Sequence, residues 1–138
     1  MKETITANWL SDLAFEAEVD GHKIYIDSTM EHGGKNTGPR PKPLMMVALA
    51  GCTGMDVAAL LKKMKEEIEE FSVEVEGDIT EEHPKRFEAM RVIYRLKGKR
   101  INRNNVEKAV NLSTQKYCGI SANYSQAFPI SYEIIIEE

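Results

Sequence analysis

From Leu44 to Phe71 the residues Met46, Ala50, Thr53, Val57, Leu61, Met64, Ile68 and Phe71 recur in steps of three or four. Lys62, Lys65, Glu66 and Glu69 fall on other faces. That period predicts one long helix. Its first part, residues 44–61, is nearly all apolar or small, so it must be covered on most sides. A chain of 138 residues, 42% of them hydrophobic, has material for a single domain over residues 1–138 with a real core. One small sheet cannot cover Met45, Val47, Leu49, Val57, Leu60 and Leu61 together, so a homodimer is expected. Gly51 and Gly54 bracket Cys52 inside this run. Glycine is poor inside a helix, so the pair marks either a break between two helices or the close approach of another segment. A break would set Cys52 at a helix start, where free N–H groups and the helix dipole favour the thiolate.

Around the helix the chain reads as an α+β arrangement. Ile5, Ala7 and Trp9, then Phe15, Ala17 and Val19, alternate weakly, and Asp20-Gly21 is a hairpin signal before Ile24-Tyr25-Ile26-Asp27. Residues 31–43 carry three glycines and three prolines and are expected to be a loop, either a rim or a plain connector. Phe71-Ser72-Val73-Glu74-Val75-Glu76 alternates as a strand, with residues 87–96 as its partner across a turn at His83-Pro84-Lys85. Asn102 to Asn105 offers caps for a helix toward Tyr117, a short helix follows Cys118, and residues 129–136 close the chain as a β-branched strand.

The formal charge of −4 argues against a nucleic-acid surface, which needs clustered Lys and Arg. Basic residues here are interleaved with acids, as in Lys62-Lys63-Met64-Lys65-Glu66-Glu67. No signal core stands at the N-terminus, and no run is read as reaching the ~18 residues of a membrane span. A cytoplasmic protein without a membrane partner is expected. His22, His32 and His83 are scattered, with no H-E-x-x-H and no C-x-x-C beside them, so no metal and no cofactor is assigned. Neither a phosphate-binding glycine motif nor a G-x-S-x-G is present.

What remains is Cys52 and Cys118. They stand too far apart in sequence for a local redox turn or a zinc knuckle. If they act together, the fold brings them together. One thiolate then takes an oxygen from a peroxide and the other closes a disulfide. Buried cysteines are more commonly inert packing groups.

Three segments give the chain a resemblance to the OsmC/Ohr family, and more closely to its YhfA-like branch. They are Gly38-Pro39-Arg40-Pro41-Lys42-Pro43 running into Leu49-Ala50-Gly51-Cys52, the helix Met55-Asp56-Val57-Ala58-Ala59-Leu60-Leu61-Lys62-Lys63-Met64, and Ser113-Thr114-Gln115-Lys116-Tyr117-Cys118. The resemblance implies antiparallel sheets around a long central helix, in an intertwined homodimer with sites at the subunit interface. It implies reduction of small organic hydroperoxides, with Cys52 as peroxidatic and Cys118 as resolving thiol and a dithiol as reductant. The peroxidase branches add an Arg in the N-terminal strands and a Glu after the helix-leading Pro. Here no Arg precedes Arg40, and Lys42 and Pro43 follow Pro41. A thiolate without a cationic partner has a higher pKa and is a less available nucleophile; Arg40 or Lys42, if folded over the site, would be the surrogate cation that brings Cys52 ionisation below the ordinary ~8.5. Asp56, one turn beyond Cys52, would oppose it as a like charge or serve as a helix-face acid. The alternative functions are a non-catalytic dimer holding a small apolar ligand at its interface, and a dimer in which both cysteines only pack.

Overall fold

A computed structural model describes all residues, Met1–Glu138. The chain divides into two compact units, Met1–Met45 and Met46–Glu138.

The N-terminal unit is an antiparallel meander of β1 (Ala7–Ser11), β2 (Ala14–Val19) and β3 (His22–Ile26). Asp20 and Gly21 form the β2–β3 turn with φ of 51° and 80°, the left-handed pair that a two-residue hairpin needs. The register places Trp9 opposite Phe15 and Phe15 opposite Ile26, with Ala17 between Ala7 and Ile24. One face of this sheet is therefore apolar, and Trp9, Phe15 and Ile24 on it are exposed.

The Gly/Pro-rich stretch is held by one buried carboxylate. Asp27 Oδ1 accepts from the Ser28 N–H at 2.7 Å, and Oδ2 accepts from the Thr37 hydroxyl at 2.6 Å and the Thr37 N–H at 3.1 Å. A Cβ on Gly34 would lie 2.2 Å from the Ser28 carbonyl oxygen, so the loop closes only on glycine. The Thr37 hydroxyl first, then the Ser28 amide, hold Asp27 well below the usual carboxylate range, at about 2. A depressed pKa stabilises the loop above the unfolded value near 4 and ceases to do so as pH falls through 2. The Lys35 and Thr37 amide resonances are therefore expected to shift between pH 4 and pH 2 with the midpoint of the Asp27 carboxyl. In Asp27→Asn that transition is absent.

In the C-terminal unit β4 (Glu70–Ile79) pairs antiparallel with β5 (Phe87–Lys97), and β6 (Ile130–Glu137) joins the other edge of β5 in parallel. The crossover before β6 carries α2 (Arg103–Leu112) and α3 (Gly119–Ser125). Asn102 caps α2, its side chain accepting from the Asn104 N–H at 2.9 Å.

The long helix α1 spans Pro41–Lys63 and bridges the division between the two units. Its ends differ from those read in the sequence. It starts three residues earlier, inside the expected loop, because prolines fit the first turn, where the missing N–H has no intrahelical acceptor. It stops well short of Phe71: Lys65 takes φ of 63° and turns the chain toward β4, to which Phe71 belongs. Gly51 and Gly54 do not break it. A Cβ on Gly54 would lie 3.3 Å from Val73 Cγ2, so this glycine serves close approach to β4, while nothing lies within 4 Å of one on Gly51. By length and composition α1 also passes as a membrane span, with mean hydropathy 1.9, contrary to the expectation that no run is long enough. The difference lies in its run of Leu, Met, Val, Ala and Cys, in which Asp56 is the single charge between Pro43 and Leu61. Its stripe Leu49, Thr53, Val57 and Leu61, one residue every four, is nonetheless buried in the protein core with Met90, Val92, Tyr94 and Leu96 of β5 and Val106 and Val110 of α2.

A cysteine and aspartate cluster on the central helix

Cys52 and Asp56 are the next row on α1, one position before the buried Thr53 and Val57, so both are half-buried at the edge of the core stripe. Cys118 arrives from the other side. Beyond Leu112 the chain widens into a π turn, Ser113–Tyr117, closed by the Cys118 N–H on the Ser113 carbonyl at 2.7 Å. Such turns are short and recur at functional positions. The buried Cys118 then caps α3, its sulfur accepting from the Ser121 N–H at 3.3 Å. Cys52 Sγ, Cys118 Sγ and a carboxylate oxygen of Asp56 all lie within 4.8 Å of one another. The fold thus assembles two residues from one helix with one far along the sequence. Both cysteines are free thiols.

A polar chain stands behind this cluster. Asp56 Oδ2 accepts from the Ser113 hydroxyl at 3.0 Å. Ser113 Oγ lies 2.8 Å from Thr53 Oγ1, which lies 2.7 Å from the Tyr94 hydroxyl. An ionised Asp56 only accepts, so the donors run in one direction: Tyr94 to Thr53, Thr53 to Ser113, Ser113 to Asp56. Burial pushes the Tyr94 phenol up, which keeps it protonated as the terminal donor. Thr53, Ser113 and Tyr94 are fully buried. Thr53→Val keeps the volume but leaves the buried Tyr94 hydroxyl without its acceptor and Ser113 with Asp56 alone, so a loss of about 1–3 kcal/mol in denaturant unfolding is expected. Thr53→Ser, which retains the hydroxyl, should lose less of the polar contribution.

The electrostatics differ from those expected of an activated nucleophile. Burial is the main cause that pushes the Cys52 thiol up; the Ile120 N–H on its sulfur opposes this, and Cys118 and Asp56 add to it. Because α1 is unbroken, Cys52 is mid-helix and gains nothing from a helix start. Alkylation of Cys52 should therefore reach half its limiting rate above the ordinary ~8.5. Asp56→Asn removes a like charge and should lower that midpoint, though less than full exposure would. A wild-type midpoint below 8.5 would show a cation reaching the sulfur.

Of the other residues singled out in the sequence, exposed Arg40 precedes α1 and half-buried Lys42 lies in its first turn, both in the N-terminal unit. Thr53, Tyr94 and Ser113 were not read from sequence as site residues. The one signal for them was hydroxyls next to Cys52 and at the head of Ser113-Thr114-Gln115-Lys116-Tyr117-Cys118. Surface concavities over Asn104, Glu107 and Lys108 of α2, at the β4–β5 turn and at the sheet end contain neither cysteine.

Comparison with known proteins gives a consistent placement. The sequence profile of the family described as OsmC-like protein matches residues 33–133. Protein YhfA of Escherichia coli K12 is 29% identical over 130 residues, covering 92% of this chain and 94% of YhfA. Among solved structures, a hypothetical protein from Aquifex aeolicus VF5 superposes with a TM-score of 0.87 at 26% identity, covering 100% of this chain and 98% of that one. The organic hydroperoxide resistance protein OhrB of Bacillus subtilis superposes with a TM-score of 0.66 at 17% identity, covering 97% and 98%, which is a likeness of fold.

Proposed function

The chain belongs to the OsmC-like protein family, and from that membership we propose that it is a thiol-dependent redox protein reducing small organic hydroperoxides in oxidative-stress defence. The observation that carries this reading is the meeting of two free sulfurs and one carboxylate within 4.8 Å. Cys52, the more accessible thiol, is the peroxidatic residue. Its thiolate attacks the outer oxygen of the hydroperoxide, the O–O bond breaks, and the alkoxide leaves as alcohol after taking a proton. Cys52 is then a sulfenic acid. Cys118 attacks that sulfur, water leaves, and a disulfide joins the two. An external dithiol restores both thiols by exchange. Asp56 is the proton acceptor and donor beside the sulfur, held in place by Ser113. A reducing, cytoplasmic setting would keep both thiols in the reduced state from which this chemistry starts.

The same reading includes a homodimer. Val47 is 63% and Met55 75% exposed on the side of α1 opposite its core stripe, and the β1–β3 sheet exposes Trp9, Phe15 and Ile24. A second copy is the cover that suits both surfaces, and it would wall the half-open Cys52 with apolar groups that favour a bulky organic hydroperoxide over hydrogen peroxide. The test is peroxide consumption by the purified protein with a dithiol reductant. Faster consumption of a bulky organic hydroperoxide than of hydrogen peroxide is expected. Consumption of neither would leave the apolar-ligand dimer as the better reading.

A further inference from the structure

We propose that Cys52, Asp56 and Cys118 form a binding site for a thiophilic divalent cation of the zinc class, with its fourth position open. The inference does not rest on peroxide reduction; it rests on the donor set.

Two cysteine sulfurs and a carboxylate converge within 4.8 Å, and Asp56 is in none of the protein's ion pairs. Three donors bearing up to three negative charges without a paired cation favour a dication more than they favour a lone thiolate. Tetrahedral zinc, with Zn–S near 2.3 Å and Zn–O near 2.0–2.2 Å, sets its donors about 3.5–4 Å apart. Closure from the observed separation therefore requires side-chain adjustment and no movement of α1. Sulfur donors select zinc or cadmium over magnesium or calcium, which take oxygen.

The surroundings are those of an oriented ligand set. A ligating carboxylate needs an outer partner that fixes it. Asp56 Oδ2 has one in the Ser113 hydroxyl at 3.0 Å, itself anchored through Thr53 to Tyr94. The sulfurs are steered by the N–H groups of Ile120 and Ser121. Ser121, whose N–H donates to Cys118 Sγ, is 2% exposed and carries a buried hydroxyl with no protein partner. Half-buried Cys52 and Asp56 leave an entry path. A bound cation displaces the thiol protons and occupies both sulfurs, so the disulfide forms only after it leaves.

The test is anaerobic titration of the reduced full-length protein with cadmium, followed by thiolate-to-metal charge-transfer absorbance. The expected result is saturation at one cadmium per chain, displacement by zinc, and protection of both cysteines from alkylation. Ser113→Ala should weaken binding about 10–100-fold while the fold persists by circular dichroism. Asp56→Asn, at a half-exposed position, should weaken it at least as much, and Cys118→Ser should remove the two-thiolate band. No band at equimolar cadmium overturns the proposal. So does an unchanged affinity in both folded Asp56→Asn and Ser113→Ala, which would mean an adventitious dithiol chelate. Peroxide consumption by metal-free protein is a separate readout, so either proposal can fail while the other stands.

Discussion

Cys52→Ser is expected to bring hydroperoxide reduction down to the uncatalysed background, whereas Cys118→Ser should permit one turnover per chain and then stop. The asymmetry follows from where the two sulfurs sit. Cys52 is half-buried on α1 and open to a substrate, while Cys118 is buried behind the π turn with its sulfur tied to the Ser121 N–H. Without Cys118 the sulfenic acid on Cys52 has no resolving thiol. Excess hydroperoxide should drive it to the sulfinic acid, a gain of oxygen readable in the intact mass. Without Cys52, Cys118 should stay reduced under the same exposure. Equal residual rates in the two variants would mean that neither sulfur does the chemistry.

The second large effect concerns assembly. Val47→Glu combined with Met55→Glu should convert the protein from two chains to one in sedimentation at micromolar concentration. Val47 and Met55 stand on the side of α1 that the C-terminal unit leaves uncovered, and neither contributes to the hydrophobic core. The variants should therefore fold. A charge buried without its partner costs about 3–5 kcal/mol, which weakens association a hundredfold or more for each residue. Lys63→Glu, at the solvated end of the same helix, should leave the mass unchanged. A wild-type protein that sediments as a folded 15.6 kDa monomer would remove the interface from the account altogether.

Local chemistry made some of this legible in the sequence. Asp20-Gly21 announced its hairpin because few residue pairs accept two left-handed conformations, and Asn102 announced its cap because a short amide side chain can reach the Asn104 N–H. The alternation in β4 and β5 was visible for the same reason. The limits of α1 were not, because both are set by context. Its prolines are tolerated only in the first turn, and it ends at Lys63 with neither glycine nor proline to mark the stop, while the apolar period runs on into Ile68 and Phe71. Gly54 signalled a close neighbour, yet only the fold shows that the neighbour is Val73 and that the helix continues past it. The parallel docking of β6 on β5 leaves no local trace, since strand direction is a property of the crossover. The pairing of Cys52 with Cys118 followed from resemblance. The Asp56–Ser113–Thr53–Tyr94 chain was hidden because each hydroxyl alone looks like an ordinary buried or surface residue, and only their juxtaposition makes a network.

The groups that the C-terminal unit itself places beside Cys52 are Asp56 and a second thiol, and both add to the upward push that burial gives its pKa. Removing Ser113 frees Asp56 to rotate and should alter both proton transfer and metal affinity, whereas Lys116 or Tyr117, which face solvent on the same turn, should alter neither.

The most direct measurement of the central claim is the intact mass and peptide map of reduced, metal-free protein after one equivalent of an organic hydroperoxide. The account predicts the loss of two hydrogens per chain and a single cross-linked peptide pair joining Cys52 to Cys118, reversed by dithiol. A chain that stays at its reduced mass, with both thiols still open to alkylation, would contradict it.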